Sequence, residues 1–190
     1  MDLNEALDEA RSRAEDLSRR FGVATPPVEE GETFPGAHVL LVRRDGELCL
    51  VIGPGYADLP ELERDAALAW VLAQADPAKV RSRLGVRETL TALAAVIPLG
   101  LVVGLAERFF EVSLLASYPL VGVTAFGALL TASIRKQTFA TDRRVAEVCG
   151  RATLDAALTR MRREPPPVRG LYRLVAALTP SPKARAARLG

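Results

Sequence analysis

The chain has 190 residues and a formal net charge of +2, which gives room for one domain with a modest insertion. So small an excess of positive charge argues against a nucleic-acid partner. Its two cysteines, Cys49 and Cys149, lie far apart and outside any Cys-x-x-Cys spacing. They make neither a disulfide framework nor a thiolate metal site, and both read as small apolar residues.

The first twenty residues carry dense mixed charge and no apolar stretch of the kind a secretory signal needs, so the chain is expected to begin in the cytosol. Leu3, Leu7, Ala10, Ala14, Leu17 and Phe21 recur at steps of three and four, one stripe of an amphipathic helix. Gly22 supplies its stop, and Pro26-Pro27 prevents continuation. Ala37–Val42 and Leu48–Ile52 are short apolar runs joined through Arg44-Asp45-Gly46, a hairpin signal. Gly53-Pro54-Gly55 ends the second strand. A helix is then expected from Leu59 to Gln74, with Leu59, Leu62, Ala66, Ala69, Trp70 and Ala73 inward. Asp76-Pro77 closes it and is placed to open another.

Thr89–Ala106 and Val112–Ile134 contain no charged residue. At about 1.5 Å per residue, each run approaches the length needed to cross roughly 30 Å of hydrocarbon. The connector Glu107–Glu111 is short and charged. Arg81, Arg83 and Arg87 precede the pair, while Arg135, Lys136, Arg143 and Arg144 follow it. By the positive-inside rule this pattern predicts a two-helix transmembrane hairpin with both termini cytoplasmic. Thr141–Met161 is again amphipathic and interrupted by Gly150. Pro165-Pro166-Pro167 reads as a stiff linker, and the arginine-rich tail beyond it reads as a solvated face.

Three stretches carry a resemblance to a known family. Val51–Gly55 with Leu59–Ala73 is similar to a strand, glycine turn and active-site helix. Thr138–Met161 is similar to a second motif helix. Thr179–Leu189 is similar to a proline-serine segment before an arginine-bearing helix. Together they resemble the HtpX-type membrane zinc metallopeptidases, relatives of the CAAX prenyl proteases. The resemblance implies a mainly α fold with a small β-hairpin, a gluzincin-like cytoplasmic domain interrupted by the transmembrane hairpin. Residues 1–88 and 135–163 would form its two halves, 89–134 the membrane insertion, and 164–190 a linker and basic tail.

A gluzincin site needs two histidines four residues apart, a glutamate beside the first to activate water, and a distant acidic ligand. Carried onto this sequence, the histidine positions are Gln74 and Ala78, the catalytic glutamate is Ala75, and the third ligand is Thr138. Asp142 alone is retained, at the position that supports a ligand histidine in the family. The chain has one histidine, His38, so two imidazoles cannot meet in one subunit. Pairings of His38 with Ser12, Ser18 or Cys49 have no spacing to support them.

The resemblance therefore implies no catalytic residue, no metal and no cofactor. It implies a pseudopeptidase that binds a membrane protein or an active paralogue, in contact with the lipid bilayer. Gln74 and Asp142 are expected to face each other within hydrogen-bonding reach or nearly so. The alternatives are a membrane-anchored scaffold unrelated to peptidases, or an active metallopeptidase with a non-standard site.

Overall fold

The computed structural model describes residues 3–34, 36–75, 101, 104, 114–165 and 176–188, with backbone alone at residues 3, 114–121 and 125. The chain divides into two compact units, Met1–Arg81 with Thr138–Gly190, and Ser82–Gln137. The described residues are mainly helical and carry one small three-stranded sheet.

In the first unit, helix α1 (Leu3–Phe21) buries the expected stripe of Leu7, Ala10, Ala14, Leu17 and Phe21, together with Ala6 and Ser18. Its alanines are wholly enclosed, and α1 packs against its own domain, mainly on the helix α2 (Glu61–Ala73) and the strand β1 (Val28–Glu30). The helix ends in a Schellman arrangement. Val23 N–H donates to Ser18 O at 3.0 Å and Gly22 N–H to Arg19 O at 3.2 Å. Gly22 sits at φ 69°, a conformation costly for a side chain with a Cβ.

Strands β2 (Val39–Arg44) and β3 (Glu47–Ile52) pair antiparallel, with Arg44 opposite Glu47. Asp45 (φ 51°) and Gly46 (φ 90°) form the two-residue turn, whose positive φ values match the twist of a tight hairpin. Strand β1 adds in parallel on the other side of β3, giving the order β1-β3-β2. The central strand buries Cys49 to Ile52 without alternation and is flanked at its two edges by β1 and β2. A 3₁₀ turn at Pro54–Tyr56 leads into α2.

Helix α2 buries Ala66, Leu68, Ala69, Val71, Leu72 and Ala73. Leu62, expected inside, is exposed. The inward arc is wider than one stripe because α2 lies against both α1 and the helix α4 (Arg151–Arg163). Asp76-Pro77 lies outside the described residues.

Helix α3 (Leu114–Cys149) is continuous over 36 residues. It belongs to the second unit up to Gln137 and to the first from Thr138 onward. Gly150, at φ 92°, breaks it and turns the chain into α4. Helix α5 (Pro182–Ala187) opens on Ser181, whose hydroxyl accepts from Ala184 N–H at 3.2 Å.

The expected transmembrane hairpin, with its multi-pass location, is corrected here. Among the described residues, no helix is long and apolar enough to cross a membrane. The first expected span, 89–106, lies outside the described residues except for Leu101 and Gly104. The second, 112–134, falls on α3 from Leu114 onward. Gly122, Thr124, Gly127, Thr131 and Ser133 dilute the apolar character of that stretch.

Candidate functional site

Two of the motif positions share one helix. Thr138 and Asp142 lie one turn apart on α3, and both are buried. A buried carboxylate needs a cation and hydrogen bonds to offset its lost hydration. Asp142, with 0% exposure, obtains both from Arg185 of α5, itself 3% exposed. Arg185 Nε donates to Oδ2 at 2.7 Å and an Nη donates to Oδ1 at 2.5 Å, a bidentate pair. The other Nη of Arg185 lies 3.2 Å from the Met161 sulfur. All three guanidinium nitrogens are thus engaged.

Trp70 supplies the remaining wall. Its indole N–H donates to Asp142 Oδ1 at 3.3 Å, and Arg185 stands over its ring at 5.7 Å from the centroid. Such a cation over an indole face is attracted by the ring quadrupole. A second contact of the same kind places Arg188 over Phe139 at 4.3 Å. The tail expected to be a solvated face is therefore anchored, because the carboxylate it neutralises is buried 43 residues upstream.

Gln74 and Asp142 are linked through a third residue. The Gln74 amide donates to Trp70 O at 3.4 Å, one turn back on the same helix. Among the described residues no hydrogen bond joins Gln74 to Asp142, whose oxygens are taken by Arg185 and Trp70. Ala75 offers only a methyl group, and Ala78 lies outside the described residues. No group of three or more histidine, cysteine, aspartate or glutamate side chains that could hold a metal ion occurs among the described residues.

The other candidates are dispersed. His38 is half-buried at the start of β2, its ring against the α-carbon of Gly55, where an added Cβ would lie 2.6 Å from Nδ1. It lines a cavity of 310 Å³ with Glu32, Thr33, Phe34 and Pro54. Among the described residues no hydrogen bond joins His38 to Ser12, Ser18 or Cys49. Burial pushes the Cys49 thiol up, with Glu29 adding to the effect, so it is a poor nucleophile. Burial also pushes Cys149 up. Cys149 lines a second cavity, of 320 Å³, with Arg13, Arg20, Asp65 and Thr153.

Two residues central to the cluster had little sequence signal. Trp70 is the only tryptophan and reads simply as a core residue, while Arg185 is one of many tail arginines. Compared with protein-family models, curated proteins and solved structures, the chain matches none.

Proposed function

We propose that this chain is a non-catalytic, gluzincin-like relative of the HtpX-type peptidases that acts by binding a protein, either an active paralogous peptidase or one of its substrates. The observation that carries the reading is the state of Asp142. At the single retained motif position, the carboxylate is sealed by a guanidinium and an indole, where the family uses it to support a metal-binding imidazole. Gln74 is turned to its own helix backbone and Ala75 has no base to offer. With one histidine in the chain, no two-imidazole site forms within a subunit. What remains is a folded scaffold whose retained carboxylate recognises a guanidinium.

Cross-linking and mild affinity purification of the full chain test this reading. Recovery of an active peptidase or its substrates, reproduced with purified components, is the expected result. A purified chain that binds stoichiometric zinc and cleaves casein overturns it.

A further inference from the structure

The Arg185 cluster has the construction of a receptor with its ligand in place. Arg185 is the buried side chain of α5, while Lys183, Ala184 and Ala187 are exposed, Ala186 packs partly buried on the core and Arg188 lies over the Phe139 ring. A six-residue helix is marginal by itself, so its place depends on these contacts, of which the Arg185 pair is the buried, charged one. The receptor belongs to other elements: Trp70 from α2, Asp142 from α3 and Met161 from α4.

The recognition is specific to a guanidinium. Nε and one Nη meet the two carboxylate oxygens side by side, and the other Nη faces the Met161 sulfur. The plane of the group also lies by the Trp70 ring. A lysine ammonium has a single nitrogen and cannot make the paired contact. With Arg185 withdrawn, Asp142 is left as a buried, unpaired carboxylate, a state that strongly favours capture of another guanidinium.

We propose that the Trp70–Asp142–Met161 cluster is an arginine-reading site, held in cis by Arg185 and opened in trans to an arginine-bearing peptide segment of a partner protein. The inference rests on the binding reading above for the identity of its occupant and names that partner's chemistry. Helix α5 is then an internal competitor. A tethered segment competes at an effective concentration of around millimolar, so exchange requires a partner presented at high local concentration.

The test uses the full chain, the full chain carrying Arg185→Ala, and a synthetic peptide copying residues 179–190. A second peptide carries lysine at the position matching Arg185. Neither peptide contains tryptophan, so Trp70 emission reports binding. The expected result is saturable binding of the arginine peptide to the Arg185→Ala chain, at least tenfold tighter than to the unaltered chain. It is also at least tenfold tighter than binding of the lysine peptide. Absence of saturable binding to folded Arg185→Ala chain, or equal binding of the two peptides, overturns the proposal.

Should Arg185→Ala fail to fold, hydrogen exchange of the unaltered chain in excess arginine peptide decides the matter. Loss of amide protection across 182–188 is expected, and unchanged protection at saturating peptide overturns the proposal. Hydrolysis of the peptide would instead overturn the non-catalytic reading and leave the arginine site standing.

Discussion

Arg185 and Asp142 form a two-pronged ion pair, 2.7 Å and 2.5 Å between donor and acceptor, with both side chains almost wholly out of solvent. The pair joins the C-terminal helix α5 to α3. Its energetics are asymmetric. Removing one partner strands the other charge, whereas removing both together removes the desolvation cost as well. Arg185→Ala and Asp142→Ala are each expected to cost about 3–5 kcal/mol in urea unfolding. The double variant Asp142→Leu/Arg185→Met is expected to recover most of that loss. Single variants within about 1 kcal/mol of the unaltered chain would mean that the pair is weaker than its burial implies.

Trp70 gives a direct optical readout of α5. It is the only tryptophan, it donates to Asp142, and it lies beside Arg185. Arg185→Ala frees the indole of both neighbours and opens it to water, so its emission is expected to shift to the red. Trp70→Phe keeps the ring packing but loses the hydrogen bond, at an expected cost of about 1 kcal/mol. An unchanged Arg185→Ala spectrum would place α5 elsewhere in solution.

Tyr56 is fully buried, and its hydroxyl has no hydrogen-bond partner among the described residues. Burial, reinforced by Glu9, pushes its phenol above the ordinary value near 10. The native state therefore keeps the phenol proton where the unfolded chain releases it. The Tyr56 contribution is intact below about pH 10 and falls as pH rises above it, by at most about 1.4 kcal/mol per pH unit. Tyr56→Phe should flatten the alkaline fall in stability. It should also leave stability at pH 7 unchanged or raised by up to about 1 kcal/mol, since an unpartnered hydroxyl is removed. A large loss at pH 7 would reveal a partner for that hydroxyl.

Two helix ends are capped by exchange. Arg20, in the last turn of α1, donates to Val148 O near the end of α3 at 2.5 Å. Arg144 of α3 donates back to Phe21 O at 3.3 Å and lies over the Phe21 ring at 5.8 Å. Cations at helix C-termini answer both the open carbonyls and the macrodipole. Arg20→Ala and Arg144→Ala are each expected to cost about 0.5–1 kcal/mol. Loss of both in one chain should cost less than the sum, because removing either contact already loosens the geometry of the other. Strict additivity in a double-mutant cycle would show the two caps to be independent.

The local features were legible in the sequence. The α1 stripe, the Gly22 stop, the Asp45-Gly46 hairpin and the Gly150 break each depend on residues a few positions apart. The misses are long-range. Strand β1 is three residues that form only because β3 lies beside them in parallel. Leu62 follows the same helical period as its buried neighbours, but the period does not reveal that α1 and α4 flank the other sides of α2. Arg185 looks like any solvated tail arginine until Asp142 is placed under it. Gln74 and Asp142 were expected to approach each other, and Trp70, one turn from Gln74, reaches the carboxylate. The uncharged runs suggest membrane spans by their length and their basic flanks, and among the described residues no helix qualifies.

On the function proposed above, Asp142 serves an arginine lock in a non-catalytic domain. The most direct measurement is zinc content and casein cleavage of the purified full chain, alone and with Arg185→Ala to release the lock. No stoichiometric zinc and no cleavage are expected in either form. Cleavage that appears in either chain and is abolished by a chelator would contradict the proposed function.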